Sequence, residues 1–257
     1  MWDPETYLAF SDQRERPARD LLARMNHPDP ASVVDLGCGT GNLAPLLTRR
    51  WPAARLEALD SAPEMVRAAV EAGVQARVLD VRDWSPGADT DVVVCNAVLQ
   101  WVPDHVELVR GWLDALPVGA VFGMQLPGNF RAPAHRAVYE LASRAEWGEE
   151  TGAALRDALR DPDRVLTPLE YARALSGPNV LIDAWESTYV HRLHGRDPVL
   201  NWLRGTALRP VRALLDERSW ERFLEELAPM LRSAYPEEAD GSTWFPFRRV
   251  FVVVRRA

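Results

Sequence analysis

The sequence predicts an α/β fold built on a seven-stranded, mostly parallel sheet, and three observations predict it. The apolar run Val33-Val34 ends in Asp35 and leads into Gly37, Gly39 and Gly41 at alternate positions, after which a helical pattern begins. A buried strand, a tight turn and a helix N-terminus in that order make the place where an α/β sheet binds a nucleotide-like ligand. Two later strand-like segments also close on acids, Ala54–Asp60 and Val78–Val81 around Asp80. Beyond them, strand-like and helix-like segments alternate to the end of the chain, as parallel sheets with crossover helices do.

Each element has its own signal. Thr6 to Asn26 reads as an N-terminal helical lid, with Pro17 breaking or restarting the helix. Ser61-Ala62-Pro63 supplies a polar cap and an early proline, so a helix follows the second strand. Asp91–Asn96 is the fourth strand, Val102–Leu116 a helix starting near Pro103, and Ala120–Leu126 the fifth strand. Helical segments follow at about 133–147, 152–160, 167–176 and 197–232, with Ile182–Arg192 as strand six and Arg249–Arg255 as strand seven. The expected layout is one domain: a lid over 1–30, a cofactor-binding core over 31–126, and remaining core strands with a helical substrate cap over 127–257. The helices between strands six and seven are where a cap would be built.

The spacing of the glycines narrows the ligand. A dinucleotide turn would read G-x-G-x-x-G, and position 42 is Asn. A dehydrogenase is therefore disfavoured, and no hydride-transfer acid or base stands out. Glycines let the backbone take unusual dihedrals close to a ligand. Asp60 can accept both hydroxyl hydrogens of a ribose, and Asp80 an amino hydrogen of adenine. Strand-end acids are often plain helix caps, but three after three successive strands favour a ligand.

Composition excludes several classes. With 30 Lys+Arg against 37 Asp+Glu the net charge is −7, which argues against general nucleic-acid binding. There is no run of 18 apolar residues, and Met1-Trp2-Asp3-Pro4-Glu5 does not open a signal peptide, so neither a membrane nor export is expected and a cytoplasmic location is. Cys38 and Cys95 sit in expected sheet positions as small buried side chains, without zinc or disulfide spacing. The five histidines show no metal spacing, and surface roles are expected for His191 and His194. Ten tryptophans dispersed along the chain suggest general packing; Trp84 either lies near the adenine or closes the turn after the third strand.

The run Asp35-Leu36-Gly37-Cys38-Gly39-Thr40-Gly41 resembles motif I of the class I S-adenosylmethionine-dependent methyltransferases, whose fold is Rossmann-like. The resemblance implies S-adenosylmethionine as cofactor, with Asp35 near its ammonium group. The cofactor is then expected against Asp35, Gly37, Gly39, Asp60, Ser61, Met65, Asp80, Val81, Asn96 and Ala97. More selectively, Leu8–Leu22, Asn96–His105, Gln125–Asn129, Gly205–Pro210 and Phe245–Arg249 resemble the trans-aconitate 2-methyltransferases, from the first helix to the last strand. That family is implied to esterify one carboxylate of trans-aconitate. Val98 stands where a smaller polar residue is expected in some relatives, which leaves tolerance for other acids open.

The chemistry can be read from the residues as well. A carboxylate of pKa near ~4 is already ionised at neutral pH, so no general base is required. Gln100 and Trp101, after the fourth strand, can donate to that carboxylate without placing positive charge beside a sulfonium. Alternatively Trp101 packs in the core and Gln100 caps the next helix. A small polyanionic substrate also needs arginines. Arg209 in the cap and Arg14 in the lid lead, followed by Arg16, Arg19, Arg248 and Arg249, while Tyr189 and Trp202 line the pocket or belong to the core. Other readings are a carboxyl methyltransferase for a different acid or a carrier-bound acyl chain, and a cofactor-binding protein without catalysis. No obligate protein partner is evident.

Overall fold

A computed structural model describes residues 11–159 and 165–257, with the side chains of residues 11–14 also outside the description. Seven strands form one sheet: β1 (Ser32–Leu36), β2 (Arg55–Asp60), β3 (Ala76–Val78), β4 (Val92–Asn96), β5 (Val121–Pro127), β6 (Val180–His194) and β7 (Ser242–Arg256). Their order is β3-β2-β1-β4-β5-β7-β6. The pairs β1–β2, β1–β4, β2–β3 and β4–β5 are parallel, and β5–β7 is antiparallel. The central strands are apolar runs because both faces are covered: every residue of β1 is buried, as are Val92, Val93, Val94 and Cys95 of β4. The edge strand β3 is three residues long and half exposed, a short edge of the kind that limits pairing with other chains.

The chain divides into two compact units. One comprises 14–127, 165–187 and 249–257, and holds the parallel strands, helix α1 (Ser11–Arg24) from Arg14 onward, α2 (Ala44–Arg50), α3 (Pro63–Glu71), α4 (His105–Ala115) and, beyond the second unit's first stretch, the helix Pro168–Leu175. The other comprises, among the described residues, 11–13, 128–159 and 188–248. Its helices Pro133–Ala142, Glu149–Ala158, Pro198–Arg204, Arg209–Leu214 and Glu217–Ala234 enclose a core that includes Trp202, Phe223 and Phe245.

The departures from expectation have local causes. Helix α1 runs through Pro17, whose missing N–H removes one intrahelical bond near the N-terminal side; Thr6 to Phe10 lie outside the described residues. The third strand stops at Val78, and Asp80 instead caps a 3₁₀ turn over Val81–Asp83. The span 197–232 is three helices, because Gly205 ends the first and Asp216 starts the last by accepting from the Ser219 N–H at 2.8 Å. Likewise 133–147 divides at Ser143, with a 3₁₀ turn over Ala145–Trp147. Strands six and seven are longer at both ends than their apolar centres suggest. Cys38 lies in the glycine turn rather than in the sheet. His191 is buried and stacks on Trp202 at 4.9 Å, since strand alternation turns 189, 191 and 193 inward; only His194 is exposed. Trp84 is packing: its carbonyl accepts from the Trp112 indole at 3.1 Å and the rings meet edge to face.

Candidate active site

The carboxyl ends of the parallel strands carry the site. After β1, Gly37 and Cys38 both donate their N–H to the Leu59 carbonyl, at 2.7 and 2.8 Å, which ties the turn to β2. Gly37, Gly39 and Gly41 have φ of 74°, 56° and 81°, a region other L-residues seldom enter. The three are not equivalent. A Cβ on Gly37 would lie 2.2 Å from Val98 Cγ2, whereas one on Gly39 would have no described residue within 4 Å. Gly37 is thus required by the protein's own packing against Val98, and Gly39 leaves an open approach to the backbone.

Asp35 is the most informative group. It is 1% exposed, and neither carboxylate oxygen has a hydrogen-bond partner among the described residues. Burial first, and the Asp60 charge second, push its pKa up to about 7. A buried acid without donors is costly, and an ammonium group is the partner that would offset that cost. Asp60, at the end of β2, accepts from the Gly39 N–H at 2.8 Å and the Ala62 N–H at 2.9 Å. A carboxylate has about four lone-pair positions, so it retains capacity for two ribose hydroxyls. Asp80 is bound by its own neighbourhood: its oxygens accept from the Arg82 N–H at 2.9 Å and from the Arg82 guanidinium at 2.9 and 2.7 Å. The bond to Arg82 holds its carboxyl below the ordinary range. Of the other expected cofactor residues, Val81 is buried in the 3₁₀ turn, Met65 is half-buried in α3 and Ser61 is exposed before it. The set fits a ligand with an ammonium group and a ribose, and this is the test that S-adenosylmethionine must meet.

Asn96 and Ala97 end β4. Ala97 is left-handed, with φ 59°, which is strained for a residue with a Cβ. The turn is held because the Ala97 N–H donates to the Gln125 carbonyl at 2.8 Å and its own carbonyl accepts from Gln100 Nε2 at 2.6 Å. Gln100 is therefore a brace for the Ala97 turn, buried, with one amide hydrogen already used. Trp101 is neither its companion in the interior nor a core residue: it is 47% exposed on the 3₁₀ turn Leu99–Trp101. The alternative reading of this pair, with Trp101 in the core and Gln100 as a helix cap, needs correction, because the left-handed Ala97 redirects the chain before the helix begins.

Arg19 forms a surface pair with Glu15 at 2.8 Å, and Arg16 is exposed. Arg14 lies in α1 with its side chain outside the described residues. Arg209 is exposed at the first residue of its helix, Tyr189 is buried on β6, and Trp202 is core. Arg249 is buried on β7. Neither cysteine is a nucleophile: burial pushes the Cys38 thiol up to about 12 and raises that of Cys95 as well, so both stay protonated. Among the described residues no cluster of His, Cys, Asp and Glu could hold a metal ion, and no helix is long and apolar enough to cross a membrane.

Sequence reading gave Gln125 no role of its own. The register Asp35↔Val94 and Val94↔Gly123, followed by Asn96↔Gln125, places Asp35, Asn96 and Gln125 on one sheet face. Met25, just past α1, covers that face: a Cβ on Gly123 would meet its sulfur at 2.3 Å. Gln125 is 1% exposed and its Nε2 has no partner among the described residues. The available signal was a lone polar side chain in the otherwise apolar run of β5.

Comparison with known proteins agrees with this geometry. A family model described as a methyltransferase domain matches residues 10–164. The YcgJ protein of Bacillus subtilis shares the fold with a TM-score of 0.60 at 14% identity, over 95% of this chain and 99% of that one. The trans-aconitate 2-methyltransferase of Mycobacterium sp. (strain KMS) is 55% identical over 99% of each chain, and that of Rhodococcus jostii (strain RHA1) is equally similar. The enzyme of that name from Mycobacterium tuberculosis (strain ATCC 25177 / H37Ra) is 50% identical over 98% of this chain and 96% of its own. On the motif I turn, the sheet order and this identity along nearly the whole chain, the protein belongs to the trans-aconitate 2-methyltransferase family.

Proposed function

We propose that the protein methylates one carboxylate of trans-aconitate, giving the monomethyl ester, with S-adenosylmethionine as methyl donor. The observation that carries this reading is Asp35, a fully buried carboxylate beside the glycine turn whose two oxygens have no partner among the described residues. The substrate follows from the relatives of that name at 50–55% identity.

When bound, the cofactor supplies a methyl group on a sulfonium sulfur to an incoming carboxylate oxygen, the bonding electrons staying on sulfur. Asp35 would accept from its ammonium group, Asp60 from the ribose hydroxyls, and Asp80 from the adenine edge with the acceptor capacity Arg82 leaves. Gly37 and Gly39, with Ser61, Met65, Val81, Asn96 and Ala97 around them, would form the walls. No side chain has to remove a proton, because the attacking carboxylate is ionised at neutral pH. The protein's work is alignment, which can lower a barrier by roughly 7–11 kcal/mol, and exclusion of water from a step in which opposite charges cancel. Gln100 contributes by fixing the Ala97 turn, leaving one amide hydrogen for a substrate oxygen. Trp101, Tyr189, Arg14 and Arg209 remain our candidates for holding the acid. Arg209 and Arg14 would supply the cations that the overall charge of −7 requires to be gathered locally. That charge also supports a free small acid over nucleic acid as partner, and the two free thiols support work in the cytoplasm.

Mass spectrometry of reactions with labelled S-adenosylmethionine tests the reading, with trans-aconitate, cis-aconitate, isocitrate and citrate offered separately. Base-labile monomethyl ester from trans-aconitate is expected. Cofactor binding without ester from trans-aconitate would reject this substrate.

A further inference from the structure

Across the carboxyl ends of the sheet, in the order β3-β2-β1-β4-β5, stand Asp80, Asp60, Asp35, Asn96 and Gln125. Once ionised, the first three accept hydrogen bonds only, and Asn96 presents a buried Oδ1 with no partner among the described residues. Gln125 adds a buried donor, its Nε2, which has no partner among the described residues and lies on the same face as Asp35 and Asn96. We propose that the Gln125 amide donates a hydrogen bond to a carboxylate of the acid substrate and holds it on the β4–β5 side of the cofactor.

The argument has three parts. Gln125 lies among Val121, Phe122, Gly123, Met124 and Leu126, where a methionine or leucine would pack as well without leaving a buried donor unsatisfied. An unpaired buried amide at the end of a sheet strand is explained if a ligand supplies the acceptor. The cofactor's own carboxylate is not that acceptor. It sits beside the ammonium that Asp35 takes, while β5 is two strand spacings from β1, about 10 Å. Finally, a neutral amide binds a carboxylate without repelling a sulfonium. The register Pro127↔Arg249 puts the buried Arg249 two residues further on the same face, where a cation suits a second carboxylate of a polyanion.

The proposal rests on the carboxylate-methylating reading, and its test separates the two. Gln125→Met and Gln125→Glu are compared with the unaltered protein by initial rates against trans-aconitate, calorimetric binding of S-adenosylhomocysteine, and Tm. For Gln125→Met we expect KM for the acid to rise about 10- to 100-fold, S-adenosylhomocysteine to bind within about twofold of normal, and Tm to be unchanged or higher. Relative to the unaltered protein at saturating S-adenosylmethionine, Gln125→Glu loses more rate at pH 8 and recovers as the pH falls, because a protonated carboxyl donates again. An unchanged KM, or a lowered Tm with product binding weakened in parallel, overturns the proposal in favour of a structural role. If the unaltered protein esterifies no acid, the substrate reading fails by itself. Gln125 is then judged by thermal shifts of the product-saturated protein with the same four acids. Shifts lost in Gln125→Met uphold the donor role, and equal or absent shifts reject it.

Discussion

The ends of β1 and of the β3 segment both present an aspartate, and the two differ in almost every physical respect. Asp35 is buried, without a partner among the described residues, and raised in pKa to about 7. Asp80 is partly exposed, bound twice over by Arg82 and lowered in pKa. One group is an unfinished interaction that destabilises the protein on its own; the other is complete without a ligand. The same contrast recurs in the turn, where Gly37 is closed by Val98 and Gly39 is open. Groups left unfinished at a cost to stability are the ones on which binding should depend.

The largest expected effect follows from removing the unfinished acid. Asp35→Asn should weaken S-adenosylhomocysteine binding by about 100-fold, the cost of a lost charge-assisted bond. The same variant should be more stable than the parent at pH 8 without ligand, by a few kcal/mol. Denaturant unfolding and calorimetry on the one variant would read both, and a variant that binds poorly because it is unstable would break the comparison.

Next come the glycines. Gly37→Ala must move Val98 as well as adopt a left-handed backbone, so a loss of about 2–4 kcal/mol in unfolding free energy is expected. Gly39→Ala bears only the backbone term of roughly 1–2 kcal/mol, yet should reduce product affinity more than its stability loss explains. If the two variants proved alike in both measurements, the distinction between closed and open sides of the turn would be lost.

A smaller effect is set by pH. The folded pKa of Asp35 lies above its unfolded value of about 3.9, so the neutral form favours folding. Its contribution to ligand-free stability is full below about pH 4 and is lost as the pH rises through about 7. Binding runs the other way, since only the carboxylate pairs with an ammonium group. Product affinity should fall up to tenfold per unit as the pH drops below about 7, and Asp35→Asn should flatten that slope. The smallest effect belongs to the finished pair: Arg82→Ala should change product affinity by less than about threefold, as expected for an exposed ion pair.

Much of this was legible from the chain. Alternating glycines demand positive φ, acids after apolar runs mark strand ends, and the fold with its seven strands followed from them. What the pattern did not carry was hydrogen bonding within a few residues. Asp80 meets Arg82 two positions on, and Gln100 turns back to a carbonyl that points toward it because Ala97 is left-handed. Neither depends on polarity or periodicity, so a strand was read where a cap stands, and the brace that Gln100 supplies to the Ala97 turn went unread. Gln125 was visible as an anomaly in β5, but its unpartnered nitrogen emerges only when register places it on the face of Asp35. The arginines were the least legible, since a chain with 30 Lys+Arg offers many and spacing does not separate a surface pair such as Arg19–Glu15 from a ligand contact.

The most direct test is to count protons. Calorimetry of S-adenosylhomocysteine binding at pH 6.5, in buffers of different ionisation enthalpy, gives the number released per ligand bound. Asp35 holding a proton until the ammonium arrives predicts release of more than half a proton, about 0.5–1, from the unaltered protein and none from Asp35→Asn. Tight binding with no proton released from the unaltered protein would show that Asp35 is already ionised and otherwise satisfied, which contradicts its role as the unfinished half of the cofactor site.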